Sequence, residues 1–374
     1  MRTSLDCVPC FVRQGLEASR FVTEDQDTQA EILREVLRLV ADLDLTRQPV
    51  TFGQAIHRRV RELTAAADPY RSVKSEYNRL VGGVLPELAR LVRASADPLV
   101  TAARLAIAGN VIDFAVPGAL QPDQVLTALR GALDEPFHGD TEAFSAALTT
   151  ARNVLYLLDN AGEIATDRLL VEEIGADRVT AVVRGGPIIN DAVRADAVEV
   201  GLAELVEVID NGSDAPGTVL TDCSESFLAR LRAADLVVAK GQGNFETLSS
   251  VAVPVFFLFK IKCPVVAGHT GLDLGTHALL RGGPLPAPAV LEKLKLKKYA
   301  DKLGLADETA ECSLIFFGDL VFLIVLLLFV PGILNHLGMR NVSTPIYAFV
   351  TKIFDFVPNL IAAGIILVVG FFLA

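Results

Sequence analysis

Between Val154 and Lys262 the chain alternates short apolar runs with clusters of polar and small residues. The runs are Val154–Leu158, Val179–Val183, Val206–Ile209, Leu236–Ala239 and Val255–Phe259. Runs this short and this apolar, separated for the most part by helical-looking stretches, predict buried parallel strands of an α/β sheet. Each run ends in residues suited to chemistry: Asp159-Asn160-Ala161-Gly162-Glu163, Arg184 through Asp191, Asp210-Asn211-Gly212, Lys240-Gly241-Gln242-Gly243-Asn244, and Lys260-Ile261-Lys262-Cys263. Open α/β sheets bind ligands at the carboxyl ends of their strands, so the five clusters predict one shared site.

On either side of this region the pattern changes. Residues 1–150 carry helical periodicity: Ile32, Val36, Leu37, Leu39 and Val40 share one side of Ala30–Leu43, and Leu80, Val84, Leu85, Leu88 and Leu91 share one side of Ser72–Val92. They predict an N-terminal helical domain with polar links at Thr46–Thr51 and Phe137–Asp140, ahead of an α/β domain over residues 151–283. Residues 284–312 are rich in Pro and Lys and read as a linker with a helix. Ser313–Leu334 and Asn359–Ala374 are almost wholly apolar. A membrane-spanning helix needs about 20 such residues, so 313–374 predicts a transmembrane helical hairpin. The lysines just ahead of it place that flank on the cytoplasmic side.

Composition narrows the function. The 374 residues carry a formal net charge of -11, which argues against a nucleic-acid partner. Acid and base balance from residue 284 onward, so the whole excess of acid lies in the body. The five cysteines are odd in number and scattered, and Met1-Arg2-Thr3-Ser4-Leu5-Asp6 is too polar to open a signal peptide. The body is therefore expected in the cytoplasm and the tail in the cytoplasmic membrane. Cys7-Val8-Pro9-Cys10 has no second pair at zinc spacing and no histidine cluster to join, so it reads as a structural pair of thiols. Asn110 and Asp113 read as packing or capping groups.

Asp159 and Asn160, joined by Asp191 from the next strand end, form a hard-oxygen set fit for Mg²⁺ or Mn²⁺. The competing reading makes Asp159 the cap of a helix beginning near Glu163. In Lys240 to Glu246 two glycines follow a strand, which allows backbone N–H groups and Lys240 to meet an anion. The spacing fits neither a Walker loop nor a dinucleotide fingerprint. Asp210 to Thr218, including Gly212, is either a surface turn or a substrate contact. Lys260 and Lys262 share one face if the strand continues, and one or both fit a solvated edge.

Cys7-Val-Pro-Cys10-Phe, Gly109-Asn-Val-Ile-Asp113, Asp159-Asn-Ala-Gly-Glu163, Gly186-Pro-Ile-Ile-Asn-Asp191, Lys240-Gly-Gln-Gly-Asn-Phe-Glu246 and Lys260-Ile-Lys-Cys263 together resemble the metal-dependent damage-control phosphatases. The resemblance covers residues 1 to about 283 and departs from the family pattern over Ala267–His277. It implies a Rossmann-like α/β/α sandwich behind the helical domain, and a divalent metal (Mn²⁺, Mg²⁺, Co²⁺ or Ni²⁺) held by Asp159, Asn160 and Asp191. It further implies that Lys240 and the Asn244–Glu246 loop face the phosphate of a small phosphorylated metabolite, a sugar phosphate or a damaged one. The expected site comprises Asp159, Lys240 and Glu246 as catalytic groups, Glu246 being the candidate proton acceptor. Gly162, Glu163, Gly212, Gly241, Gly243, Asn244 and Lys260 are expected at the substrate. Leu337 to Phe371 resembles the transmembrane-helix repeat of small-conductance mechanosensitive channel relatives. Two rival functions follow: a channel-like membrane protein whose body is a sensor or fusion partner, and a carboxyl methyltransferase. The second is disfavoured because Asp159-Asn160 stands where a methyl-donor glycine loop would lie.

Overall fold

The computed structural model describes residues 1–109 and 121–282. The chain divides into two units, Met1–Pro284 and Leu285–Ala374, and every described element belongs to the first. The expected linker at 284–312, the transmembrane hairpin at 313–374, and Asn110 and Asp113 lie outside the described residues. Among the described residues no helix is long and apolar enough to cross a membrane.

The strands are β1 (Phe137–Gly139), β2 (Val154–Leu157), β3 (Val179–Val183), β4 (Glu207–Asp210), β5 (Leu236–Lys240), β6 (Val255–Lys260) and β7 (His277–Gly282). They form one sheet in the order β1-β7-β6-β5-β2-β3-β4. The five apolar runs supply β2 to β6, each parallel to its neighbours among them. The whole sheet is mixed, because β7 runs antiparallel to β6 and pairs in parallel with β1. Sequence reading makes Phe137–Asp140 a polar link, whereas the structure pairs Phe137 with His277 and Gly139 with Leu279. A three-residue edge strand with an exposed central His138 carries too little alternation to be visible.

Thirteen helices surround the sheet within the described residues: α1 (Val8–Val22), α2 (Gln26–Ala41), α3 (Pro49–Thr64), α4 (Arg71–Ala94), α5 (Pro98–Ala108), α6 (Pro122–Gly131), α7 (Thr141–Thr150), α8 (Glu163–Ile174), α9 (Arg194–Glu199), α10 (Leu202–Leu205), α11 (Glu225–Ala233), α12 (Gln242–Leu248) and α13 (Pro264–Thr270). Local sequence starts several of them: Asp25 accepts from Thr28 N at 2.9 Å, and Asp97 from Val100 N at 3.0 Å with Pro98 in the first turn of α5.

Strand alternation sends Val154, Tyr156, Leu236 and Val238 to one face, where they meet Leu88 of α4, Leu105 of α5, Leu129 of α6, Phe144 of α7 and Leu170 of α8. The other face presents Leu155, Leu157, Val237 and Ala239 to Phe227 of α11, Phe245 of α12 and Val266 of α13. Full burial of each large side chain contributes about 1.5 to 3 kcal/mol. Helices α1 to α3 close a smaller core around Phe11, Ile32 and Ile56.

The direction of chain progression reverses between β2 and β5, since β3 and β4 lie beyond one of them and β6 beyond the other. A crevice opens at the carboxyl ends of the strands at such a reversal. Asp159 leaves β2 there, and Gly241 leaves β5.

Candidate active site

The loop after β3 turns back on the loop after β2. Arg184 N donates to Ala192 O, Ala192 N to Asp159 O and Ala161 N to Asn190 O, at 2.9, 2.8 and 2.8 Å. Asn160 and Asp191 form an antiparallel bridge. Backbone pairing therefore joins the acids of two strand ends, and the three donors predicted from sequence come together.

Glu163, the first residue of α8, joins them. Asn160 Nδ2 donates to Asp159 Oδ2 at 2.7 Å and to Glu163 Oε2 at 3.1 Å. The turn before the helix requires glycine: Gly162 has φ 78°, and a Cβ on it would lie 3.1 Å from Tyr77 Cβ. Gly241, at φ 80°, stands so close to Asp159 that a Cβ would lie 2.0 Å from Oδ2. Its bare backbone is the wall against which that carboxylate rests.

Sequence reading places Arg184 at the head of a strand-end cluster but gives it no role. Its Nε donates to Asp191 Oδ2 at 2.7 Å, its Nη1 to Asn244 Oδ1 at 3.2 Å, and its Nη2 stands 3.6 Å from Asp159 Oδ1. Nη2 is buried with no hydrogen-bond partner, so one face of a guanidinium donor is held inside the site. Its only sequence signal is a position immediately after β3.

Lys240 is wholly buried, and its Nζ donates to Ala106 O at 2.7 Å, Glu163 Oε1 at 2.5 Å and Asp167 Oδ1 at 2.7 Å. Sequence reading sends this ammonium to the phosphate; the structure puts it beneath Glu163. Lys240 shares strand parity with Leu236 and Val238, so it faces α5 and α8. Asp167 lies four residues after Glu163, on the same side of α8. Burial opposes the charge of Lys240, but Asp167 and Glu163 outweigh it and hold its pKa above the usual lysine range. Burial pushes Asp167 up to about 6, against the pull of Lys240 and the 2.8 Å hydrogen bond from Tyr156.

A clamp on α4 supports both loops. Asn78 Oδ1 accepts from Gly162 N at 2.7 Å, and its Nδ2 donates to Asp196 at 3.2 Å and Glu199 at 3.0 Å. Buried Lys74 pairs with Asp196 at 3.1 Å and Asp68 at 3.0 Å, and reaches Asp191 O at 3.5 Å.

The remaining predicted residues lie apart from the carboxylates or serve as braces. Asn244 uses its amide on Lys240 O at 2.7 Å and Leu158 O at 3.3 Å, and accepts from Thr218 Oγ1 at 2.8 Å. A Cβ on Gly243 would meet Pro216 O, and one on Gly212 would meet Ser224, so both mark close backbone approach. Lys260 pairs with Glu135 at 2.6 Å. It is Lys262 whose charge acts on Asp159. Glu246 accepts from Gln242 at 2.8 Å and feels the charge of the Met1 amine.

The donor chemistry suits a divalent cation. Asp159 is raised well above the carboxylate range by burial first, then by Glu163 and Asp191. Asp191 is raised by burial against the opposing pull of Arg184. A buried cluster of oxygens with more anion than cation beside it is what Mg²⁺ or Mn²⁺ relieves. Among the described residues no three His, Cys, Asp or Glu side chains form a ready metal cage, so the set consists of two carboxylates and the Asn160 carboxamide.

Residues 3–277 match the family model of the damage-control phosphatase ARMT1-like domain. Residues 344–374 match that of the mechanosensitive ion channel conserved transmembrane helix. A damage-control phosphatase of Archaeoglobus fulgidus is 35% identical over 74% of this chain and 97% of its own length. One from Pyrococcus horikoshii is 31% identical over 75% of this chain and 98% of its own. The crystal structure of a DUF89 family protein from Pyrococcus horikoshii superposes with a TM-score of 0.69 at 30% identity, covering 75% of this chain and 99% of that one.

Proposed function

Because the chain belongs to the damage-control phosphatase family, we propose that the crevice at the ends of β2, β3 and β5 is a metal-dependent phosphomonoester hydrolase site for small phosphorylated metabolites. The observation that carries this reading is the bridge joining Asn160 to Asp191, with Asp159, Glu163 and Arg184 gathered around it.

In this reading Asp159, Asn160 and Asp191 hold the cation, whether Mn²⁺, Mg²⁺, Co²⁺ or Ni²⁺. Once bound, it polarises phosphoryl oxygens and acidifies water. Glu163 accepts the proton of the attacking water, and Lys240, 2.5 Å from Oε1, holds that carboxylate in place. The open Nη2 of Arg184 donates to the phosphoryl oxygens as charge builds on them, a contact worth about 1.5 to 3 kcal/mol. Water adds to phosphorus, the ester P–O bond breaks, and the leaving alkoxide takes a proton. Glu246 has no part in the reaction. Gly162 and Gly241 shape the walls, while Gly212, Gly243, Asn244 and Lys260 brace the loops. The likeness of residues 344–374 to a conserved transmembrane helix favours membrane association of that segment.

The test is a phosphate-release screen over sugar phosphates and phosphorylated cofactors, with the four metals in parallel, on the native chain and its Asp159→Ala and Asp191→Ala variants. Metal-dependent release is expected from the native chain and lost in both variants, with folding retained. Full activity in either variant at unchanged metal occupancy would sink the assignment.

A further inference from the structure

Cys7-Val8-Pro9-Cys10 plays no part in this chemistry, yet its setting is built. Cys7 is the N-cap of α1 and Cys10 its third residue, with Pro9 fixing the first turn. Residues three apart on a helical turn bring their Cα atoms to about 5 Å, inside the roughly 4.4–6.8 Å that a disulfide spans.

The segment before α1 is pinned to α12. The Met1 amine donates to Glu246 O at 2.6 Å, Thr3 N to Arg47 O at 2.9 Å, and Gln48 Nε2 to Thr247 O at 3.1 Å. On the same helix Gln242 Oε1 accepts from Lys262 N at 3.2 Å, next to Cys263, the N-cap of α13. Three thiols thus gather near α12, and Cys7 feels the charges of Glu246, Cys263 and Cys10. All four described cysteines are free, with Cys10 exposed and Cys7, Cys223 and Cys263 half-buried. The three thiols do not form a metal cage.

We propose that Cys7 and Cys10 are a reversible oxidation site, a dithiol that closes to a disulfide by exchange with a small-molecule or protein disulfide. The exposed thiol reacts first. Cys10 sulfur attacks one sulfur of RSSR and releases RS⁻, leaving a mixed disulfide on the protein. Cys7 sulfur then attacks the Cys10 sulfur and releases the second RS⁻. The two cysteine protons pass to the two released thiolates, so RSSR gains two electrons and becomes 2 RSH while the dithiol loses two. Their place at the start of α1 puts both sulfurs at the positive end of the helix dipole, which favours each thiolate as it forms. Burial and the nearby carboxylate of Glu246 hold the Cys7 thiol up, which makes it the resolving partner and not the attacking one.

The experiment equilibrates the reduced full chain in glutathione buffers of rising disulfide content. Free thiols are then trapped by alkylation, and peptides are mapped by mass. The expected product is a Cys7–Cys10 peptide two hydrogens lighter, restored by dithiothreitol, with Cys223 alkylated throughout. Cys7→Ser replaces the resolving thiol with a hydroxyl of similar shape, so a stable glutathione adduct on Cys10 should accumulate in its place. Three outcomes would overturn the proposal: both thiols alkylated across the whole series, a dominant bridge to Cys263, or thiols that react only after a metal chelator is added. An unmodified Cys10 in the Cys7→Ser chain would overturn it as well.

Discussion

Lys240 shows how one buried charge can hold together a polar cluster at the strand ends. Its three partners take up all three of its protons, and two of them are carboxylates. Lys240→Met should cost about 3 to 5 kcal/mol in urea unfolding, because Glu163 and Asp167 would be left buried without a counter-charge. Adding Glu163→Gln and Asp167→Asn should restore much of that loss but not activity. If the single variant unfolds like the native chain, Lys240 is not the clamp described. Gly241→Ala tests the wall beside Asp159, since the new Cβ would lie 2.0 Å from Oδ2 at a φ of 80°. The strain costs about 1 to 3 kcal/mol. The displaced carboxylate should lower kcat by about a hundredfold. Normal kcat in a folded Gly241→Ala chain would remove Asp159 from the site.

His57 offers a pH test away from the carboxylates. Burial, with Arg61 nearby, lowers its pKa from 6.5 to about 4, so the folded state keeps it neutral. Its contribution is fully present above pH 6.5 and is lost as pH falls toward 4, because over that window the unfolded state binds a proton that the folded state does not. The slope approaches about 1.4 kcal/mol per pH unit. In His57→Phe that slope should vanish from the stability difference between variant and native chain. Equal slopes in both would place the titration elsewhere.

At the scale of elements, α4 is a brace for the loops after β2 and β3. Asn78 holds Gly162 N, and Lys74 reaches Asp191 O while paired with Asp196. Asn78→Ala should cost about 1 to 3 kcal/mol for the partners it leaves unpaired. It should lower kcat more than it raises KM, because the turn it releases carries Glu163 and not a substrate contact. A change in KM alone would mean that α4 touches substrate. Its contacts span 84 residues to the loop after β2 and 117 to the loop after β3, and its buried Lys74 and Asn78 look in sequence like ordinary helix polar residues.

For the whole molecule, the chain divides into its two units between Pro284 and Leu285. The sheet, the site and the α4 brace all lie within the first. A chain ending between Gly283 and Pro288 should therefore unfold cooperatively and hydrolyse phosphate esters as the full chain does. Insolubility or inactivity of that shorter chain would show that the tail completes the body.

Sequence alone determined the strands β2 to β6 and the strand-end position of Asp159, Asn160 and Asp191. These are local facts: a buried strand must be apolar for its whole length, and a polar cluster at its end has nowhere else to go. The structure alone decided what depends on contacts between distant segments. Sequence reading aimed Lys240 at the phosphate, and only the packing of α5 and α8 against β5 turned it to Glu163 and Asp167. The pairing of β1 with β7 joins residues with no local signal. Arg184 acquires meaning only because the loop after β3 folds back and brings Asp191 to it while β2 brings Asp159. Glu246 and Lys260 sit in matching motifs, yet they face Gln242 and Glu135. Spacing along the chain gives the chemical type of a residue and its face on an element. Which charges neutralise one another in the buried interior is settled by the packing of elements far apart in sequence, because unpaired burial there is too costly to persist.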